Sequence, residues 1–180
     1  MVPFEADASF RGGDNPVICV TWEQARNYCE SWRCPGCRLC SESEWEMAAR
    51  GGCLLYEGKN CKESMPTYPW GNSAPLAASS ENGAVANLAD ETAGAKYPFL
   101  NSIPGFVDGE AETSSVGSHP GGTSKYDVHD LSGNVWEWVA DCWTEDLSTV
   151  PGDGSASVDG DCTKRVRRGG GWVSTNPDAR

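Results

Sequence analysis

The sequence predicts an α+β fold, and three observations carry that prediction. Two short helices with capping signatures fall in the first third of the chain. Two β-prone runs fall near its end. Between them, residues 53–130 keep neither the helical nor the strand period. At 180 residues the chain holds one core, not two comfortable ones.

In chain order, residues 1–15 have no period and contain Arg11-Gly12-Gly13-Asp14, so they read as a lead-in; the domain then runs over 16–180. Pro16 to Val20 is short and apolar and predicts a strand. Thr21 opens a helix, because Thr21 and Gln24 are spaced as a capping box in which each side chain satisfies a backbone donor near the other. Ala25, Tyr28, Cys29 and Trp32 fall at i, i+3, i+4 and i+7 and predict its buried stripe. Ser41 and Glu44 make a second capping box, Trp45, Ala48 and Ala49 a second stripe, and Gly51-Gly52 the stop.

The middle of the chain is rich in Gly, Pro, Ser, Asn and Ala. Loops this long are uncommon unless functional or clamped. Tyr68-Pro69-Trp70, Tyr97-Pro98-Phe99 and Phe106 are large aromatics that disordered segments lack. The prediction is therefore an ordered, irregular segment held by disulfides and bound cations. Regular structure returns at Gly133: Val135 to Val139 is bulky and β-prone, and Arg165 to Arg168 predicts a second strand.

The net charge of −12 disfavours nucleic acid and anionic membrane as partners and suits a hard cation such as calcium. No apolar run approaches the length of a membrane-spanning helix, and Met1-Val2-Pro3-Phe4-Glu5 has neither the basic nor the apolar part of a signal peptide. Nine cysteines point to an oxidising, extracellular or periplasmic setting. Cys53 with Cys61 and Cys142 with Cys162 bracket loops as disulfides do. Cys19, Cys29, Cys34, Cys37 and Cys40 crowd one region, and an odd total leaves one thiol free or paired outside the chain. Cys29, Cys34, Cys37 and Cys40 also admit zinc, but disulfides are favoured.

Several segments, in order, resemble the formylglycine-generating (sulfatase-modifying factor) family. They are Pro16-Val17-x-x-Val20-Thr21-Trp22-x-x-Ala25-x-x-Tyr28-Cys29, Glu44-Trp45-Glu46-x-Ala48-Ala49-Arg50-Gly51-Gly52, Tyr68-Pro69-Trp70-Gly71-Asn72, Asp130-Leu131-Ser132-Gly133-Asn134-Val135-Trp136-Glu137-Trp138 and Arg165-Val166-x-Arg168-Gly169-Gly170. The resemblance implies a C-type-lectin-like fold with two helices, a small antiparallel sheet and much irregular loop. The family's opening strands are not evident before Pro16, nor its closing strand after Trp172. An exposed sheet edge would then be open to completion by a second chain.

The resemblance also implies two calcium sites. One is formed by Asn87, the Leu88 carbonyl, Asp108 and the Glu110 carbonyl. The other is formed by Asp130, the Gly133 and Val135 carbonyls, and Glu137. The second set fits extended chain, where residues two apart point the same way. Glu137, between two tryptophans, is a costly charge unless it meets a cation or pairs with an arginine such as Arg168.

The family enzyme holds copper with two cysteines, and a soft Cu(I) ion wants thiolates. Aligned on Gly169-Gly170, those positions are Ser174 and Ala179 here, and no cysteine follows Cys162. An iron-dependent branch of the family uses a helical domain that nothing in this chain resembles. His119 and His129 read as loop histidines. Trp136, Trp172 and the small polar residues Ser174 and Asn176, expected to be exposed, lie where the enzyme has its active site and would line a ligand cleft.

The leading expectation is thus a non-catalytic, calcium-stabilised binding or structural module that meets a protein or glycan ligand. One alternative is a metal-dependent oxidoreductase of altered chemistry in the same cleft. Another is a lectin-like display protein with a diversified C-terminal loop.

Overall fold

A computed structural model of the chain describes residues 13–32, 35–52, 64–79 and 83–175. It is α+β. Its helices include α1 (Trp22–Cys29), α2 (Glu42–Arg50), α3 (Pro75–Ala78) and α4 (Glu91–Lys96), with single 3-10 turns at Pro120–Gly122 and Leu147–Thr149, and its strands are β1 (Glu137–Trp143) and β2 (Asp161–Arg168). The chain divides into two compact units: Met1–Cys19, Ala48–Trp136 and Gly169–Arg180 in one, Val20–Met47 and Glu137–Arg168 in the other. Each is described by itself.

The second unit contains α1, most of α2 and the sheet. Both predicted capping boxes form. Gln24 N–H donates to Thr21 Oγ1 at 3.2 Å while Thr21 N–H donates to Gln24 Oε1 at 2.8 Å. Glu44 N–H donates to Ser41 Oγ at 3.1 Å and Ser41 N–H to Glu44 Oε2 at 2.9 Å. The buried stripe of α1 differs from expectation. Trp22 is its buried residue, whereas Tyr28 is 65% and Trp32 81% exposed. The inward face passes through Trp22, Ala25, Arg26 and Cys29, one position round from the predicted one. Two contacts fix that rotation: the Trp22 indole N–H donates to the Val139 carbonyl at 2.7 Å, and the Arg165 guanidinium lies 3.8 Å from the Trp22 ring centroid. Trp32 lies beyond the helix end, since α1 closes at Glu30.

β1 and β2 pair antiparallel, with Glu137 opposite Arg168 and Cys142 opposite Arg165. The predicted Cys142–Cys162 disulfide is present and ties β1 to the start of β2. β1 begins two residues later than expected and runs on to Trp143. Asp141 is buried, and its two carboxylate oxygens accept the Glu42 N–H at 2.7 Å and the Ser157 N–H at 2.8 Å.

The first unit holds the irregular chain. Pro16 to Val20 is not a strand: Cys19 has φ 59°, which breaks extension. The described parts of the middle segment, residues 64–79 and 83–130, pack around its aromatics, as those residues predict. Tyr68 and Trp70 stack with ring centroids 4.9 Å apart, Tyr97 packs on Trp172 at 5.6 Å, and Phe106 is buried with Ala86 and Leu88. α4 was not foreseen. Asp90 caps it by accepting the Ala93 N–H at 2.6 Å, but Gly94 dilutes its helical signal.

Cys19, Cys29 and Cys40 are free thiols, and Cys37 is disulfide-bonded. A zinc site using Cys37 is therefore not formed. Cys34, Cys53 and Cys61 lie outside the described residues.

Candidate cation site

The first expected cation set lies wholly within the first unit. Asn87 is 1% exposed. Its side-chain N–H groups donate to the Glu112 carbonyl at 2.7 Å and to Asn134 Oδ1 at 3.4 Å, while its Oδ1 has no partner. Its own carbonyl accepts the Asn134 N–H at 2.8 Å. Gly133 is needed at that approach, because a Cβ there would sit 2.2 Å from the Asn87 carbonyl oxygen.

Asp108 joins the other members of the set. Its Oδ2 accepts the Leu88 N–H and its Oδ1 the Glu110 N–H, both at 2.8 Å. Burial pushes its carboxyl up to about 7, against the lowering pull of those two hydrogen bonds; neighbouring Asp90 adds to the rise. Asp90 is fully buried, and its Oδ2 accepts the N–H groups of Asp108 at 3.0 Å and Gly109 at 3.3 Å. This loop region, crowded with backbone donors, thus holds a largely desolvated carboxyl, Asp108, bound by the Leu88 N–H, and at the preceding residue, Asn87, an amide oxygen with no donor. Such oxygens suit a hard cation. Among the described residues, no three His, Cys, Asp or Glu side chains cluster as a metal-holding group. The expected set depends instead on one carboxylate, Asp108, together with the Asn87 amide oxygen and backbone carbonyls.

The second expected set is distributed differently. Asp130, Gly133 and Val135 belong to the first unit and Glu137 to the second. The extended run assumed for them is corrected: Asp130, Gly133 and Asn134 have φ of 58°, 89° and 58°, so strict alternation fails there. Asp130 Oδ2 accepts the Gly117 N–H at 2.6 Å. Glu137 Oε2 accepts the Trp45 indole N–H at 2.7 Å. The ion pairs described for Arg168, its partner across the sheet, are with Glu46 and, at 3.7 Å, Glu42.

The residues expected to line a ligand cleft separate by exposure. Trp136 is 39% exposed, whereas Trp172 is buried against Ala93 and Tyr97. Ser174, expected at the surface, is 5% exposed. It closes a turn: the Gly171 N–H donates to its Oγ at 3.0 Å, its N–H to the Gly171 carbonyl at 2.7 Å, and its own carbonyl accepts the Ala89 N–H. Asn176 and Ala179 lie outside the described residues. His119 is buried in loop, and exposed His129 meets Thr123 Oγ1 at 3.1 Å. Sequence reasoning missed Asp90, Glu112 and Asn134. Only Asp90, ahead of Glu91, carried a legible signal, that of a helix cap.

Two capped helices, a disulfide-tied hairpin of strands and an ordered loop region with a candidate cation site describe a small α+β domain of the sulfatase-modifying type. The Sulfatase-modifying factor enzyme 1-like domain matches residues 6–180, and the chain belongs to that family. It is 34% identical over 160 residues to the "Inactive C-alpha-formylglycine-generating enzyme 2" of Bos taurus, covering 89% of this chain and 39% of that protein. It is 30% identical to the "Formylglycine-generating enzyme" of Mus musculus, covering 89% of this chain and 36% of the relative. Among solved structures it resembles PvdO from Pseudomonas aeruginosa, with a TM-score of 0.61 and 27% identity over 94% of this chain and 54% of the other. The chain thus spans about two-fifths of the length of the curated relatives it matches.

Proposed function

We infer that this chain is a calcium-stabilised, non-catalytic binding or structural module of the sulfatase-modifying-factor family, with a C-type-lectin-like fold. The observation that carries the calcium reading is the buried Asn87 Oδ1 without a donor, one residue from the Leu88 amide that holds Asp108. Asn87, Asp108 and the carbonyls of Leu88 and Glu110 would hold the ion. Calcium would supply charge neutralisation for Asp108 and a partner for Asn87. The second set, around Asp130, rests on sequence resemblance alone.

The non-catalytic reading is supported at Ser174. The family's copper position carries a hydroxyl here, and that hydroxyl is spent on the Gly171 N–H. A serine oxygen is a poor ligand for a soft Cu(I) ion. The relatives include both a named enzyme and a named inactive form. An extracellular or periplasmic setting is supported by the Cys142–Cys162 disulfide. No helix among the described residues is long and apolar enough to cross a membrane.

Elemental analysis of protein purified without chelators tests this reading. About one or two calcium ions per chain, with neither copper nor iron, is the expected result. Stoichiometric copper or iron would replace it with the oxidoreductase alternative.

A further inference from the structure

The Asn134 side chain makes two hydrogen bonds to one residue. Its Oδ1 accepts the Ser114 backbone N–H at 3.1 Å, and its Nδ2 donates to the Ser114 carbonyl at 3.2 Å. A backbone N–H can only donate and a backbone carbonyl can only accept. The orientation of the Asn134 amide is therefore fixed without ambiguity. Its Oδ1 also faces Asn87. Asn87 thus meets two obligate acceptors, Asn134 Oδ1 and the Glu112 carbonyl, and must turn its NH2 toward both. Flipping the Asn87 amide would set oxygen against oxygen twice. Its Oδ1 is consequently left on the other side of the amide with no partner.

Asn134 is held as firmly as it holds. It is 2% exposed, its N–H donates to the Asn87 carbonyl, and its carbonyl accepts the Trp172 N–H, both at 2.8 Å. It occupies the left-handed region at φ 58°, where asparagine is tolerated better than most residues. One residue, through its side chain and backbone together, thus ties the Asn87, Ser114 and Trp172 segments.

We propose that Asn134 is a positioning residue that aims the Asn87 side-chain oxygen at a calcium ion without touching the ion. The proposal rests on the calcium reading above. Groups that orient a metal ligand from behind typically affect affinity by about 10- to 100-fold. Ser114 supplies only backbone groups to this arrangement, so its own hydroxyl is dispensable.

The test is calorimetric titration of calcium into the full chain and two variants, each first checked for folding by circular dichroism. Asn134→Gly accepts the φ without strain and is expected to weaken calcium binding by about 10-fold or more. Ser114→Ala should bind as wild type does. The rise in melting temperature on adding calcium should also shrink in Asn134→Gly, whereas a purely structural role for Asn134 would lower the melting temperature equally with calcium and with a chelator. Unchanged affinity in Asn134→Gly, a 10-fold loss in Ser114→Ala, or an undiminished calcium-dependent rise in melting temperature in Asn134→Gly would overturn the proposal. Wild-type protein that takes up no calcium would instead overturn the calcium reading on which it stands.

Discussion

The Trp45 indole N–H donates to Glu137 Oε2 at 2.7 Å, joining α2 to the first residue of β1. Trp45 is 3% exposed, and the Arg168 guanidinium lies 5.1 Å from its ring centroid. The tryptophan therefore meets a carboxylate at its edge and a cation at its face.

Replacing Trp45 with Phe keeps a ring and removes the donor. A hydrogen bond to a charged group contributes about 1.5–3 kcal/mol, so Trp45→Phe is expected to lower unfolding stability by at least that much. Glu137→Gln keeps an acceptor without the charge and should cost less. Urea unfolding of both variants checks the order.

Glu44 provides a pH test. The Arg38 guanidinium, bound to both of its oxygens, is the main force holding its carboxyl down to about 2; the Ser41 N–H adds to that. Its ordinary value is 4.5. Because the folded value is the lower one, its contribution to stability is complete above pH 4.5 and fades as the pH falls toward 2. The difference in melting temperature between wild type and Glu44→Gln should therefore be constant from neutral pH to about pH 5 and shrink below it. A difference that grew on acidification would contradict the assignment.

The Cys142–Cys162 disulfide spans a sequence separation of 20. Closing a loop of that size stabilises a fold by about 3 kcal/mol, chiefly by restricting the unfolded chain. Replacing both cysteines with serine isolates this bond from the disulfide at Cys37. A loss near that size in chemical denaturation is expected.

The free thiols should react unequally. Burial, helped by the nearby Glu137 and Glu44 carboxylates, pushes the Cys40 thiol up to about 11, whereas Cys19 is exposed. The thiolate is the reactive form, and at pH 8 only about a thousandth of such a thiol as Cys40 is ionised. Brief alkylation followed by peptide mass spectrometry should modify Cys19 and spare Cys40.

The features legible in the sequence were those with local causes. Both capping boxes, the Gly51 stop, the β2 strand and the Cys142–Cys162 bond each follow from residues whose spacing has one physical meaning. The misreadings arose where distant contacts decide. Periodicity placed Tyr28 and Trp32 inside, but a hydrogen bond from Trp22 to Val139 turns α1 the other way. Ser174 reads as exposed from its place at the family's active-site position, yet a turn with Gly171 buries it. Asn134 has no sequence signal of its own, because its role depends on Ser114 and Asn87 meeting it from 20 and 47 residues away.

Thermal unfolding with a chelator and with excess calcium tests the central claim most directly. An ion that binds only the folded chain adds about 2.7 kcal/mol at a hundredfold excess over its Kd. For a domain of this size that raises the melting temperature by about 5–10 °C. The account predicts such a rise in wild type and its loss in Asn87→Ala. Equal melting temperatures with and without calcium, or an equal rise in Asn87→Ala, would contradict it.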